Sequence, residues 1–202
     1  MQSALGRYAE TGDPFSGPRD PLTAGNGSIM RLAPVPLFFM PDRERVVHYS
    51  GESSRTTHGA PEAVAAARIL GALLAALLEG ASKAEALDAL DLGDVPTSRL
   101  REVAAGGFRT KEPSAIRGSG YVVESLEAAL WSFWTSESFE EAVLRAANLG
   151  DDADTTAAIC GQLAGAHWGE SGVPRRWLDR VHLGDEIRSL ADALSDFGRS
   201  PG

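Results

Sequence analysis

The sequence predicts an all-α protein, an irregular multi-helix bundle, from three observations. Apolar residues recur with helical period over long segments, most clearly residues 61–78 and 121–134. Ser-x-x-Glu signatures, in which a hydroxyl and an acid satisfy backbone N–H groups reciprocally at a helix start, occur at Ser82/Glu85 and Ser138/Glu141. No segment alternates apolar and polar residues as a half-buried strand must.

Taken in order, residues 1–28 are rich in Gly, Pro, Asp and Ser and carry only one turn of helix, at Ala4–Glu10. GNGSIMRLAPVPLFF passes from a glycine-bracketed turn into an apolar run broken by Pro34 and Pro36. The polar stretch SGESSRTTHGAPEAV leads into the longest helical pattern, with Pro61 suited to a first helical turn and Gly80 to the stop. Val64, Leu70, Leu73, Leu74, Leu77 and Leu78 give that helix a wide apolar face. Ser82 opens a short helix ending near Gly93, and another is expected over Thr97–Ala105. The loop Gly106–Gly120 is long enough to act as a functional flap. GYVVESLEAALWSFW reads as a strongly apolar helix, and Ser138 begins one that stops at Gly150. An acid-headed, small-sided helix follows, then a short one at Pro174 carrying Trp177. A last amphipathic helix is marked by Ile187, Leu190, Ala191 and Leu194.

At 202 residues the chain can bury one sizeable core, and residues 1–202 are expected to form a single unit. A net charge of −9 argues against nucleic acid as partner, because phosphate binding needs a basic footprint. The lone Cys160 has no partner for an internal disulfide and suits a small core position. The opening residues lack the basic start and apolar core of a secretory signal, and no run of about 18 apolar residues is expected to span a membrane. The expectation is a cytoplasmic protein with no membrane partner.

Chemistry concentrates in NLGDDADTTAAICGQLAGAHWG. Asp and Thr are favoured at helix N-caps, where one side-chain oxygen accepts a free backbone N–H and negative charge suits the helix dipole. One acid suffices for that. Asp151, Asp152 and Asp154 crowd four positions and repel one another, so a bound hard cation is the alternative to capping and solvation. Ala157, Gly161 and Gly165 recur every four residues and share a face, and helical glycine costs about 1 kcal/mol against alanine. Close approach of another backbone would offset that cost, with or without any chemistry. Gly25 and Gly27 permit close approach of a ligand to the turn they bracket, and Asn26 and Ser28 add polar side chains, although a plain turn explains them too. His58 is either structural or a contact for an anionic ligand.

In order along the chain, GNGSIMRLAP, THGAP, GSGYVVESLEAALW, NLGDDADTTAAICGQLAGAHWG and VPRRW resemble the GNGS-x-MR loop, T-H-x-x-P helix start, G-Y-V helix, D-x-D-T metal motif and I-P-x-x-W segment of the ADP-ribosylglycohydrolase family. Each motif is weakly specific; five in the right order are not. The resemblance implies an all-α fold around a binuclear Mg²⁺ or Mn²⁺ site and hydrolysis of the bond joining ADP-ribose to a side chain or related group. By the same resemblance Asp152, Asp154 and Thr155 are metal ligands, while Asp151 stands outside the ligand set. Asn26, Gly27 and Ser28 form the loop that holds ADP-ribose phosphates and ribose, His58 lies near the same ligand, and Tyr121 belongs to the adenosine end. Bound cations would also reconcile an acidic chain with an anionic ligand.

The family pattern further contains a G-D-A segment, a T-D-D metal motif and an acidic general base ahead of the GNGS loop. Gly12–Asp13 is followed by Pro14 and Gly93–Asp94 by Val95, so neither substitutes. The expectation is therefore the C-terminal two-thirds of the family domain, carrying half a metal site and no secure catalytic residue. Three consequences are open at this point: a hydrolase completed by a further segment or complementing chain, a non-catalytic ADP-ribose-binding or scaffold module, and self-association through apolar faces left uncovered.

Overall fold

The computed structural model describes residues 2–199 apart from 92 and 94, and among the described residues it contains helices and no strand. The helices are α1 (Gln2–Thr11), α2 (Pro34–Phe39), α3 (Arg43–Arg55), α4 (Pro61–Leu78), α5 (Lys83–Asp88), α6 (Ser98–Ala104), α7 (Val122–Trp134), α8 (Phe139–Ala147), α9 (Ala153–Trp168), α10 (Arg175–Leu178) and α11 (Gly184–Arg199). The core forms around α4, α7 and α9, with α3 and α5 packed on α4 and α8 on α9. By length and composition α4 could cross a bilayer, contrary to the expectation that no run would; two-thirds of it is buried, as in the core helix of a packed bundle.

The cap at Ser82 acts as the sequence predicts, and the one at Ser138 forms only its hydroxyl half. Ser82 and Glu85 form a complete capping box, although α5 stops at Asp88, short of Gly93. Ser138 Oγ accepts the Glu141 N–H at 3.2 Å, but the Glu141 carboxylate reaches past Ser138 to the N–H of Glu137.

Three further readings require correction. Residues 43–55, which showed no apolar period, form α3, because its buried side is made of Val46, Ser50, Gly51 and Ser54 and is too small and polar to register as hydrophobic. The segment 106–120 is no flap. Phe108 and Ile116 are buried, Trp131 Nε1 donates to Lys111 C=O at 3.0 Å, and Lys111 pairs with buried Glu127 at 2.6 Å. The third correction concerns glycine. A Cβ on Gly161 would lie 3.9 Å from Val143 and one on Gly165 4.0 Å from Phe139, which is ordinary contact with α8. The close crossing is instead between α3 and α4, where a Cβ on Gly71 would overlap Ser50 and one on Gly51 would come within 2.6 Å of Arg68 Nε. Gly161→Ala and Gly165→Ala should therefore each stabilise the protein by about 0.5–1 kcal/mol in urea denaturation, while Gly71→Ala destabilises it.

The last helix docks through its C-terminal end, where Phe197 stacks on Phe38 at 4.9 Å. Ile187 and Leu190 on the same helix remain more than half exposed.

Candidate active site

The entry into α9 is an unusual turn. Gly150 and Asp151 both have positive φ, +75° and +56°, so the chain takes two left-handed steps before the helix begins. Glycine does this freely, and Asp is among the few side chains that tolerate it. The turn is anchored by the Asp152 N–H, which donates to Gly118 C=O at 2.8 Å, and Asp152 C=O starts the helix by accepting the Thr156 N–H. A Cβ on Gly118 would sit 2.9 Å from Thr156 Oγ1, so the loop before α7 lies directly on the start of α9.

Asp152 occupies the N-cap position, yet its side chain accepts no capping hydrogen bond. Its Oδ2 instead accepts from Asn26 Nδ2 at 2.6 Å, across 126 residues of sequence. The capping explanation for the acids therefore fails at this position. Asn26 is 7% exposed; the same amide nitrogen lies 3.1 Å from Ser125 Oγ and 3.4 Å from Ser119 C=O, and the Asn26 N–H donates to Gly120 C=O. With the Gly25–Tyr121 bridge, these contacts fasten the GNGS loop to the start of both α7 and α9. Asp154 lies exposed in the first turn of α9 and makes no hydrogen bond or ion pair among the described residues. Thr155 is nearly buried, with its hydroxyl 3.9 Å from Met30 Sδ, too long and soft a contact to occupy it.

The remaining expected ligand contacts divide. Ser28 is fully buried and its Oγ accepts from Ser54 Oγ at 2.9 Å, so it presents no exposed surface to a ligand. Gly27 is required by a neighbour: a Cβ there would come within 2.7 Å of His58 Cε1. His58 thus lies against the GNGS loop, with Nδ1 2.9 Å from Thr57 Oγ1. Burial, reinforced by the positive charge of Arg31, lowers its pKa below the ordinary histidine value. Folded His58 therefore resists a proton that the unfolded chain accepts. Its contribution to stability is complete above about pH 6.5 and declines as pH falls below that value toward the folded pKa, a loss that denaturation at stepped pH measures and that His58→Gln removes. Tyr121 faces a neighbouring cavity and donates its phenol proton to Glu62 Oε2 at 2.7 Å.

Two residues of the site were not singled out among the expected ligand contacts, although Arg31 ends the GNGS-x-MR resemblance. Arg31 reaches the end of α3, with Nη2 2.9 Å from Thr57 Oγ1 and 3.2 Å from both Thr56 Oγ1 and Ser53 C=O, and so holds the Thr57–His58 turn in place. Gln162 accepts the Ala33 N–H at 2.7 Å and donates to Ile29 C=O at 2.9 Å, tying α9 to the segment after the GNGS loop. Its position seven residues after Thr155, on the same helical face, is the clue available in sequence.

Among the described residues no three His, Cys, Asp or Glu side chains gather as a metal cluster. The start of α9 offers two carboxylates and a hydroxyl, all hard oxygen donors, with one carboxylate oriented by an amide as metal-binding carboxylates commonly are. That set suits a divalent cation such as Mg²⁺ or Mn²⁺ and is too small to close a coordination shell.

Fold and site together define an all-α protein with an oxygen-rich helix start facing a glycine loop and a neutral histidine. The ADP-ribosylglycohydrolase family model matches residues 1–201, and the chain belongs to that family. It is 40% identical over 193 residues to an ADP-ribosylarginine hydrolase of Serratia proteamaculans (strain 568), covering 96% of this chain and 52% of that protein. To an ADP-ribosylarginine hydrolase of Pseudomonas putida (strain GB-1) it is 43% identical over 200 residues, covering 99% and 53%. A solved structure described as an ADP-ribosylglycohydrolase-related protein complex superposes with a TM-score of 0.89 at 42% identity, over 98% of this chain and 68% of that one. The chain thus spans about half the length of the curated relatives it matches.

Proposed function

We propose that this chain forms the ADP-ribose-binding face, and one wall of the metal site, of a hydrolase that cleaves the N-glycosidic bond between ADP-ribose and arginine. The observation that carries the reading is the Asn26–Asp152 hydrogen bond, which joins the GNGS loop to the acidic helix start and leaves Asp154 and Thr155 free beside it. The arginine linkage is supported by the 40% and 43% identity to ADP-ribosylarginine hydrolases.

In this reading Asp152, Asp154 and Thr155 hold Mg²⁺ or Mn²⁺, with Asp152 oriented by Asn26. A bound divalent cation supplies positive charge for ribose hydroxyls and for water activation. Backbone groups of Gly25–Gly27 line the path of the phosphates, since the Asn26 side chain is already engaged and Ser28 is fully buried. Thr57 Oγ1 accepts from Arg31 and keeps its own proton to donate to His58 Nδ1; in this reading the His58 proton sits on Nε2, toward the loop. In the reaction water oxygen bonds to the anomeric carbon, the carbon–nitrogen bond breaks, and the guanidine leaves with a proton. No described residue is assigned as general base.

The test is release of ADP-ribose from ADP-ribosylarginine by the purified chain with Mg²⁺ or Mn²⁺. Because the oxygen set is small, weak metal binding and slow release are expected. Rapid metal-dependent turnover would contradict the half-site assignment, and absence of any ADP-ribose binding would contradict the reading as a whole.

A further inference from the structure

At the opposite end of α3 from His58 lies an open trough of about 560 Å³, in the size range of small-molecule sites. One wall is a face of α4, where Ala65, Ile69, Ala72 and Ala76 follow at helical spacing. Val47 of α3 and Leu90, beyond α5, extend the apolar lining. Both α3 and α5 pack on α4, yet the alanine methyl groups are too short to fill the space between them. Ala72 therefore remains half-buried in the middle of a helix that is otherwise mostly buried.

The charged residues at the trough differ in what already occupies them. Arg43 pairs with Glu79, and Asp91 Oδ1 accepts the Gly93 N–H at 2.9 Å. Glu44 stands in the first turn of α3, where negative charge suits the helix dipole. Arg68 is the charge left unmatched, with no hydrogen bond or ion pair among the described residues. Its place is nevertheless fixed. A Cβ on Gly51 would lie 2.6 Å from Arg68 Nε and 3.3 Å from its Cζ, so the side chain lies against the bare backbone of α3. A guanidinium seated in this way loses little freedom on binding and presents a fork of donors that matches a carboxylate. An apolar wall beside such a cation selects an anion with a hydrocarbon tail. A cation would be repelled by Arg68, and a polyol would set its hydroxyls against alanine without partners.

We propose that this trough is a binding site for a small aliphatic carboxylate, with the tail along Ala65, Ile69, Ala72 and Ala76 and the carboxylate on Arg68. Its residues are separate from those assigned to metal and ADP-ribose, and binding here does not depend on the hydrolase reading.

The experiment is calorimetric titration of the full chain with decanoate. Acetate, which is the head without the tail, and decyltrimethylammonium, which keeps the tail and reverses the charge, are titrated alongside. Wild-type protein should bind decanoate with submillimolar affinity and show no binding of the other two over the same concentrations. Arg68→Gln changes an exposed side chain and should weaken decanoate by about fivefold, the loss expected for a charge-assisted pair open to solvent. Ala72→Leu lengthens a side chain that lines the trough and should weaken decanoate by about tenfold through lost space. If Ala72→Leu fails to fold, Arg68→Gln decides the matter alone. Wild-type protein that does not bind decanoate at millimolar concentration, equal binding of decanoate and decyltrimethylammonium, or undiminished decanoate affinity in Arg68→Gln would overturn the inference.

Discussion

Asp152→Asn should lower Mn²⁺ affinity by at least tenfold, read as free Mn²⁺ by electron paramagnetic resonance, while leaving the fold intact. Asparagine at this position keeps an oxygen to accept from Asn26 Nδ2, so the link between the GNGS loop and α9 survives. What disappears is one of two formal negative charges in a set of three oxygen-bearing side chains, and hard cations depend on such charge for affinity. Asn26→Ala tests the same arrangement from the other side. It leaves the carboxylate charged but unheld, and loss of such a supporting partner commonly costs tenfold or more in metal affinity. If both variants bound Mn²⁺ as wild type does, the acids at α9 would return to being a solvated helix start.

The largest stability effect is expected away from the acids, at Gly17. A Cβ there would lie 2.6 Å from His58 N, 2.7 Å from Arg55 C=O and 2.7 Å from Gly59 N. All three are backbone atoms, and Gly17 N–H and Pro18 C=O themselves bond to this strip, at Arg55 C=O and Gly59 N–H. Nothing there can rotate away, so the segment must separate from the end of α3. Gly17→Ala should cost about 3 kcal/mol, the upper range for overpacking, and lower the melting temperature by roughly 6–12 °C. Because the displaced strip carries His58, ADP-ribose affinity should fall with stability. Gly6→Ala is the matched control, since a Cβ on Gly6 meets nothing within 4 Å.

How legible this was in the sequence depends on the distance over which each feature is decided. Caps are local, and Ser82 and Ser138 each accept the backbone N–H three residues on, as their spacing predicts; Thr97 does the same without a Glu to signal it. The helices α4 and α7 are buried on most sides and carry the residues to show it. Helix α3 escaped because small side chains let it approach α4, and small side chains give no hydrophobic period. The glycines of α9 misled for the complementary reason: a small-residue repeat shows that close approach is allowed, whereas the space beside Gly161 and Gly165 shows that it does not occur. At the site, the residue types of Asp152, Asp154 and Thr155 were readable, and so was their resemblance to a metal motif. That Asp152 is held by Asn26, that His58 is the reason Gly27 must be glycine, and that Glu62 braces Tyr121 are contacts between segments 31 to 126 residues apart. Local pattern carries no trace of them.

The most direct test of the metal-site reading is the anomalous difference map of crystals grown with Mn²⁺ and ADP-ribose. The expected result is a manganese peak within coordinating distance of Asp152, Asp154 and Thr155, with the ribose of the ligand turned toward it. Ordered ADP-ribose with no manganese at the start of α9, or manganese bound elsewhere on the chain, would contradict it.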